Sequence, residues 1–445
     1  MPLDCYAAKT LSAGAARVDI TPEEPLFLYG YPHVPRISTG VHDPLYASAL
    51  VLSDGPRTVA LISVDVLMLS HETVCELREQ IAARTGIPAG SILISATHTH
   101  SAPVTCEVLA FRDDPVVPPI DAGTMARVGD GIVESATRAA ASRRPARVAI
   151  TRATAAGVGG NRHTLDGPSD PEVGILVVRE ADGAAFIALD LVYSMHPTVL
   201  HEDSTEVSAD FPGFTRAHLA EALPGVTVIY HTGPSGNQSP RWHVTGQTFG
   251  EAERLGRALG EAVRAAVEAL PGSSYRAAIT VDAAQDFVAL PGRTFPTVAE
   301  AEALLEDAHA THTSLRRDGA PHGPLRTAEV AIFGAEERVT LARAQAQGEI
   351  APLLVRYTPT EVQVLRVGDA FLVGLPGELF VEYGLEIKAR AGGQAFVISL
   401  ANGELQGYIT TPGATGYEAG ISLFLPQAGA MLVQTALSLM RRMGE

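Results

Sequence analysis

The sequence predicts an α/β (α+β) fold, built from a layered mixed β-sheet with flanking helices. Hydrophobic residues make up 46% of the 445 residues and charged residues 19%, which is typical of a globular protein with a sizeable core. Short β-rich runs alternate with helical stretches in the first half of the chain, as layered α/β architecture requires. No internal repeat and no clear linker divides the sequence. We therefore predict a single domain over residues 1–445.

The elements of the first half are predicted from runs of apolar residues and their spacing. Short runs rich in Val, Ile and Leu indicate buried strands, and longer segments with apolar residues three or four apart indicate helices. In chain order, the predicted elements are strands at YASALVL and RTVALISVDVLM, a helix from His71 to Arg84, the strand SILISAT, a helix around Thr124 to Ala141, and strands at Arg147 to Arg152, Val173 to Val178, Ala185 to Leu191 and Thr227 to Tyr230.

The second half is predicted to be richer in helix. The segment from about Gln247 to Leu270 has apolar residues at helical spacing and should form an amphipathic helix that serves packing. Residues 298–347 are rich in Ala and Glu and are interrupted by the turn-rich RRDGAPHGPLR, so we expect a helical insertion or lid within the domain. Strands at EVQVLRVG and AFLVGLP, a helix from Glu378 and the run AFVISLANG complete the chain.

Charge and cysteine content exclude several classes of protein. The chain has 33 Lys and Arg against 50 Asp and Glu, a net charge of −17, so we expect no nucleic-acid partner. Cys5, Cys75 and Cys106 are too few and too scattered for a disulfide framework or a cysteine zinc site, which favours a reducing compartment.

We find no export signal and no apolar run long enough to span a bilayer, and we therefore expect a cytoplasmic protein without a membrane anchor. A homo-oligomer is left open.

Histidines follow two of the predicted strands. In ILISATHTHSAP, His98 and His100 are two residues apart, and in an extended backbone both would face the same space. They could be metal ligands or hydrogen-bonded loop residues. The strand FIALDLVYSMHPTVL ends in His196, which could cap the strand or supply another imidazole, and His201 competes for that role.

Further polar residues follow other glycine- or proline-rich turns. Arg162, in the segment NRH, could be a surface cation or an anchor for a substrate oxygen, and Ser239, in GNQSP, lies in a loop able to present N–H groups and a hydroxyl. Glu378 follows Pro-Gly at a predicted helix start. Its carboxylate could interact favourably with the helix dipole there, or it could bind a metal. Tyr408 and Tyr417 follow it in GYITTPGATGYEAG. Two His and one Glu form the ligand set of hydrolytic zinc sites.

In this order, these segments resemble the catalytic domain of the neutral (alkaline, non-lysosomal) ceramidase family over nearly the whole chain. The resemblance is carried by ARVDITP, GVHDPLYASALVL, VALISVDVLML, ATHTHSAP, NRH, the strand ending in His196, GNQSP, PGELF and GYITT followed by YE. The chain stops soon after this region, so we expect it to lack the family's C-terminal immunoglobulin-like domain. The family's GDxSP loop reads GNQSP here, with Asn237 in place of an aspartate.

The resemblance implies a zinc-dependent amidohydrolase of lipid metabolism that carries one Zn²⁺ per chain. The implied zinc ligands are His98, His196, Glu378 and Tyr408, and the implied partners of the scissile carbonyl, the neighbouring hydroxyl or the transferred proton are His100, Arg162, Ser239 and Tyr417. We predict cleavage of an amide bond in a small-molecule or lipid-like N-acyl substrate by metal-activated water, with Ser239 either positioning the substrate or acting as nucleophile. The alternatives are a zinc-dependent esterase or lactonase acting on a small soluble substrate, and a non-catalytic binding homologue.

Overall fold

Two β-sheets packed face to face lie at the centre of the molecule. The structure, a computed structural model, describes residues 10–183 and 185–444, so Cys5 lies outside the described residues. The strands are β1 (Ser12–Asp19), β2 (Gly40–Val41), β3 (Tyr46–Ser53), β4 (Thr58–Val64), β5 (Ile92–Ala96), β6 (Arg144–Thr154), β7 (Gly160–Asn161), β8 (Glu172–Glu180), β9 (Phe186–Tyr193), β10 (Glu206–Val207), β11 (Thr227–Thr232), β12 (Gln238–Ser239), β13 (Val281–Val288), β14 (Thr360–Val367), β15 (Ala370–Gly374), β16 (Glu378–Leu379), β17 (Ala395–Ile398) and β18 (Tyr408–Ile409).

The described residues form ten α-helices, several of which cover the outer faces of the two sheets. They are α1 (His71–Thr85), α2 (Ala122–Ala141), α3 (Phe211–Ala222), α4 (Phe249–Glu268), α5 (Val298–Arg317), α6 (His322–Ala346), α7 (Ile350–Arg356), α8 (Val381–Arg390), α9 (Tyr417–Ile421) and α10 (Gln427–Gly444). None of the helices in the described ranges is long and apolar enough to cross a membrane.

The strand order shows that both large sheets are mixed, as predicted. The first has eight strands in the order β11-β9-β8-β6-β1-β3-β4-β5, and the second has four in the order β13-β14-β15-β17. Within them, β11 and β9, β4 and β5, and β15 and β17 pair in parallel, and the other neighbours pair antiparallel. The layered α/β fold class is therefore confirmed.

Alternating side chains on the strands produce the layers. On β3, Leu50 and Leu52 face the second sheet, whereas Ala49 and Val51 face a core shared with helices α1 and α2. The two-residue period of a strand places successive side chains on opposite faces of the sheet. Both sets are buried because both faces of this sheet are covered. Helices α3 and α4 cover the other end of the first sheet, and α8 and α10 cover the second sheet. The order of layers is helix, sheet, sheet, helix.

The prediction that a helix starts at Glu378 is wrong. The helix α8 begins at Val381, and Glu378 lies in the short strand β16, which pairs in parallel with β18. Pro376 and Gly377 turn the chain before this strand, and Gly377 has a φ of 78°, which favours glycine.

The predicted helical region 298–347 contains two helices, α5 and α6. They pack against each other through Ala301, Val339 and Ala342, and the break between them includes Gly319 in the left-handed region. Its role as a lid stays a prediction, as does the assignment of residues 1–445 to one domain.

A buried ion pair anchors the loop that follows β4. Both carboxylate oxygens of Asp65 accept hydrogen bonds from the Arg216 guanidinium on α3, at 2.7 and 2.6 Å. Asp65 is fully buried and Arg216 is 5% exposed. The same carboxylate accepts a hydrogen bond from the backbone N–H of Tyr46 at 2.8 Å. The pair therefore fixes residues 65–69 against the first sheet and α3.

We predict that Asp65→Asn destabilises the fold strongly. The substitution preserves the shape of the side chain but leaves the Arg216 charge buried without its partner, so the free energy of unfolding should fall by about 3–5 kcal/mol. Urea denaturation followed by circular dichroism measures this change. The control is Glu253→Gln, which removes one partner of the exposed pair with Arg257 and should cost less than about 1 kcal/mol. Equal losses in the two variants would contradict the anchoring role.

Candidate metal centre and active site

The loop after β4 holds the first histidine of the His-x-His motif. The backbone N–H of His98 donates to the carbonyl of Val66 at 3.0 Å, and its Nδ1 donates to the carbonyl of Leu67 at 2.8 Å. His98 has a φ of 69°, so the extended backbone assumed for this motif is wrong at this residue. A left-handed non-glycine residue is uncommon and is typical of functional sites.

The rings of His98 and His100 nevertheless meet in one space. Their centroids are 4.9 Å apart, and the His100 Nδ1 donates to the carbonyl of Gly30 at 3.0 Å. Gly30 has a φ of 134°, and a Cβ added there would lie 2.6 Å from the His100 side chain. Only glycine therefore lets this backbone approach the imidazole.

The third imidazole comes from His196, three residues after the end of β9. Its Nδ1 donates to the carbonyl of Ser235 at 2.6 Å, and its ring centroid is 4.7 Å from that of His98. His201, the competing candidate, instead hydrogen bonds to Gln247 through its Nδ1 at 2.8 Å. The geometry thus selects His196, a choice that sequence spacing left open.

The pairing of β16 and β18 brings Glu378 and Tyr408 side by side, although they are thirty positions apart in the sequence. Directly paired residues on neighbouring strands project to the same face of the sheet. The Oε2 atom of Glu378 is 3.0 Å from the Nε2 of His196 and 3.2 Å from the Nε2 of His98. Glu378, like the two histidines, is buried.

The side-chain atoms of this cluster are suited to bind a metal ion. In the three histidines, Nδ1 must carry the hydrogen because a carbonyl can only accept one, which leaves a lone pair on each Nε2. The possible ligand atoms of His98, His100 and His196 lie within 4.8 Å of one another, and the Nε2 atoms of His98 and His100 have no hydrogen-bond partner among the described residues. An ionised Glu378 adds another acceptor to this group. Acceptors that converge without a donor need a cation between them.

The electrostatics of the cluster agree with this charge distribution. Burial lowers the pKa of His100 well below its ordinary value, and burial lowers the pKa of His196 to about 4. Burial alone would raise the pKa of Glu378, but the adjacent His98 and His196 hold that pKa well below its usual range. His100 and His196 therefore favour the neutral imidazole and Glu378 favours the ionised carboxylate, the protonation states that bind a metal.

Arg162 is oriented toward this cluster and does not lie free on the surface. Its Nε donates to the Oε1 of Glu418 at 2.8 Å, and its guanidinium lies 5.3 Å from the centre of the Tyr408 ring. His163 contacts the same Glu418 oxygen at 2.9 Å. Burial opposes ionisation of Glu418, but Arg162 and His163 lower its pKa to about 2. Glu418 directly follows Tyr417 in the sequence, and sequence reasoning gave it no role.

Tyr417 is joined to the helical insertion. Its hydroxyl donates to the carboxylate of Glu337 on α6 at 3.2 Å, and His33 contacts the same carboxylate at 3.2 Å. Glu337 is 1% exposed, and burial raises its pKa. The sequence offered no signal for this residue, since its neighbour Glu336 is also acidic but has a side chain that is 41% exposed.

Ser239 lies in a different part of the site. The strand β12 pairs antiparallel with β7, which places Ser239 opposite Gly160, and the Ser239 hydroxyl accepts a hydrogen bond from the N–H of Arg241 at 3.2 Å. Among the contacts of the described residues, none joins Ser239 to the three histidines. Asn237 donates to the Glu382 carboxylate at 2.8 Å, a bond that the aspartate of the family's loop could make only when protonated.

A mostly apolar cavity of about 70 Å³ opens beside the cluster. His98, His100 and Glu378 contribute to its wall, together with Tyr408 and Tyr417. The other lining residues are Gly30, Pro32, Leu67, Met68, Val108, Ala110, Phe111, Leu341, Leu400, Glu404, Leu405, Gln406, Gly407, Ile421 and Leu423. Convergent polar groups in an apolar cavity are the usual form of a small-molecule site. The structure thus gathers most of the predicted residues around one cavity.

Comparisons with known proteins show a resemblance to one family. A sequence model described as neutral/alkaline non-lysosomal ceramidase, N-terminal, matches residues 11–228. A neutral ceramidase from Pseudomonas aeruginosa is 24% identical, over 97% of this chain and 72% of the relative. One from Mycobacterium tuberculosis is 23% identical, over 97% of this chain and 77% of the relative. The crystal structure of neutral ceramidase from Pseudomonas aeruginosa matches with a TM-score of 0.74 at 20% identity, over 97% of this chain and 75% of that one. The first half of the chain therefore matches the neutral/alkaline non-lysosomal ceramidases by its sequence model, and nearly the whole chain is similar to them.

Proposed function

We propose that this protein hydrolyses the amide bond of an N-acyl substrate with the help of a bound zinc ion. The observation that carries the proposal is the convergence of three imidazole Nε2 atoms and the Glu378 carboxylate at the wall of an apolar cavity. Two His and one Glu are the ligands of hydrolytic zinc sites. The relatives named neutral ceramidase support an amide as the substrate, and a lipid amide such as ceramide is the first candidate.

His98, His196 and Glu378 would hold the ion, with Tyr408 as the fourth ligand that the family resemblance implies. The contacts of 3.0 and 3.2 Å from Glu378 to the two histidines support this choice, since ligand atoms bound about 2.1 Å from a tetrahedral ion lie roughly 3.4 Å apart. Zinc held there would act as a Lewis acid and would make water acidic enough to serve as a nucleophile near neutral pH.

The remaining residues have roles that follow from their positions. His100 has a free lone pair on Nε2 beside the cluster, so it can accept a proton from the attacking water and return it to the leaving nitrogen. Tyr417 lines the cavity and can turn its hydroxyl from Glu337 to an oxygen that gains charge during the reaction. Arg162, held by Glu418, supplies positive charge next to Tyr408.

The direct test combines metal analysis with hydrolysis. We expect about one zinc per chain and turnover of short fluorogenic N-acyl amides that stops on chelation and returns with zinc. Esters with the same acyl groups form a parallel series, because an esterase passes through the same tetrahedral charge distribution. Turnover of the esters alone would assign the protein to the esterases, and a protein that binds no added zinc would refute the metal mechanism.

His98→Ala and His201→Ala form a matched pair for this test. The first removes an imidazole of the cluster and should lose both zinc and turnover. The second removes a histidine that bonds to Gln247 outside the cluster, so zinc content and activity should stay near those of the unmodified protein. Loss of zinc in both variants would contradict the ligand assignment.

We predict that Tyr417→Phe lowers kcat by about 10²-fold while zinc content is unchanged. The variant keeps the ring but removes a donor for the developing oxyanion, and loss of one such donor costs this amount in other hydrolases. Steady-state kinetics on the amide series measures the effect. Tyr275→Phe is the control, because Tyr275 lies outside the cavity, and a similar fall in both variants would exclude an oxyanion role.

Ser239→Ala separates the two roles considered for this serine. We propose that Ser239 positions the substrate, since its hydroxyl already accepts a backbone hydrogen bond and no histidine contacts it in the described part of the chain. The variant should therefore keep zinc and retain measurable turnover. Complete inactivity with intact zinc, together with an acyl-serine detected by mass spectrometry in the unmodified protein, would instead establish a covalent mechanism.

A further inference from the structure

His33 lies between carboxylates on both sides of its ring. Its Nδ1 is 2.8 Å from the Oδ2 of Asp114, and its Nε2 is 3.2 Å from the Oε1 of Glu337 on α6. The Glu336 carboxylate is 3.5 Å from the same Nδ1. An ionised carboxylate only accepts hydrogen bonds, and a neutral imidazole has a single N–H. Both ring nitrogens can therefore face their carboxylates as donors only when the ring carries a second proton.

The surroundings of His33 favour that second proton. The His33 side chain is 14% exposed, and its ring stacks on Phe333 of α6 with the ring centroids 4.6 Å apart. The loop after Phe111 presents Asp114 to the ring, and α6 presents Glu336 and Glu337. Burial alone would lower the pKa of His33, but these carboxylates raise it above its ordinary value. The imidazolium ion therefore persists to a higher pH than in a free histidine.

Glu337 extends the contacts of His33 to Tyr417. The Tyr417 hydroxyl donates to the Glu337 Oε1 at 3.2 Å, the same oxygen that His33 contacts. Gly334, one turn earlier on α6, lets the Tyr417 ring pack on the helix, since a Cβ added there would lie 2.7 Å from that ring. His33 therefore constrains both α6 and the start of α9 through one buried carboxylate.

Loss of the second proton would break these contacts at one of the two ring nitrogens. The nitrogen that loses its hydrogen then faces a carboxylate oxygen as a second acceptor, at 2.8 Å from Asp114 or 3.2 Å from Glu337. Two buried acceptors without a donor are unfavourable. Because folding raises the pKa of His33, its stabilisation is complete below the unfolded pKa of about 6.5 and is lost as the pH rises through the folded pKa.

We propose that His33, as an imidazolium ion, is a positioning residue that holds α6 and Tyr417 in place beside the cavity, and that both loosen when the ring loses its second proton. The catalytic consequence rests on the proposed amide hydrolysis, in which Tyr417 donates to the oxyanion. Tyr417 and Leu341 of α6 both line the cavity, so a displacement of the helix changes the cavity wall as well as the donor.

Hydrogen exchange followed by mass spectrometry tests the positioning without any substrate. His33→Gln removes the charge, and His33→Arg supplies a permanent cation that can also stack on Phe333. At about pH 6, where a histidine with a raised pKa is protonated, we expect peptides of α6 and α9 to exchange about tenfold faster in His33→Gln. The same peptides of His33→Arg should exchange as in the unmodified protein. Equal exchange in His33→Gln and the unmodified protein would overturn the proposal.

A pH series keeps this test decisive if His33→Gln fails to fold. Between about pH 6 and pH 9, exchange of α6 and α9 in the unmodified protein should become faster than in His33→Arg at the same pH, where intrinsic exchange rates are equal. A ratio that stays constant over this range would overturn the proposal, as would His33→Arg peptides that exchange as fast as those of His33→Gln.

Kinetics on the amide series separate positioning for catalysis from a purely structural role. We expect kcat of His33→Gln to fall about tenfold with KM and zinc content little changed, because a misplaced donor affects the reaction step. The alkaline fall of kcat should be smaller in His33→Arg than in the unmodified protein. His309→Gln removes an exposed histidine of α5 and is the matched control, with kcat and exchange unchanged.

The two experiments distinguish failure of this inference from failure of the proposed function. Faster exchange in His33→Gln with an unchanged kcat would overturn the positioning role. A protein that hydrolyses no amide would refute the proposed function, and the exchange of α6 and α9 would then decide whether His33 holds these helices.

Discussion

The arrangement of this site depends on three backbone carbonyls that each hold one imidazole by its Nδ1 atom. The carbonyls of Leu67, Gly30 and Ser235 fix the tautomers of His98, His100 and His196, respectively. Because Nδ1 must then carry the hydrogen, every Nε2 presents a lone pair to the same buried space. Three lone pairs that face one buried space are the feature on which the proposed metal site rests.

The two large sheets provide the rigidity that this arrangement needs. The first histidine follows β5, and His196 follows β9, which is near the other edge of the same sheet. Glu378 follows β15 of the second sheet, so the histidine cluster and Glu378 lie where loops from both sheets meet. Catalytic groups carried by loops on packed sheets keep their geometry because the strands beneath them cannot shift independently.

Buried acidic residues surround the cluster, and each has a different partner. Glu418 is ionised and holds Arg162, Glu337 accepts from Tyr417, and Glu404 accepts from Tyr357. The first two orient groups at the end of the cavity near the histidine cluster. Glu404 lines the same cavity and is held there by the Tyr357 hydroxyl.

The sequence alone determined the fold class, the order of most elements and the resemblance to the neutral ceramidases. Strands and helices with strong apolar periodicity, such as β9 and α4, lie within a few residues of their predicted ends, because the burial pattern of each element is encoded locally. The ATHTHSAP segment and the Pro-Gly before Glu378 also mark positions where polar side chains follow buried strands. The local sequence pattern predicts turns less reliably. After the turn at Pro376 and Gly377 it predicts a helix from Glu378, although this residue lies in a strand.

Only the tertiary structure decided which polar residues meet. His196 and His201 are equivalent by spacing, and the carbonyl of Ser235 orients the first of them into the cluster. Glu337 and Glu418 are ordinary acidic residues in the sequence, and they become functional candidates because packing buries them against Tyr417 and Arg162. These contacts join segments tens to hundreds of residues apart, so their geometry depends on how the sheets and helices pack, which no local pattern encodes.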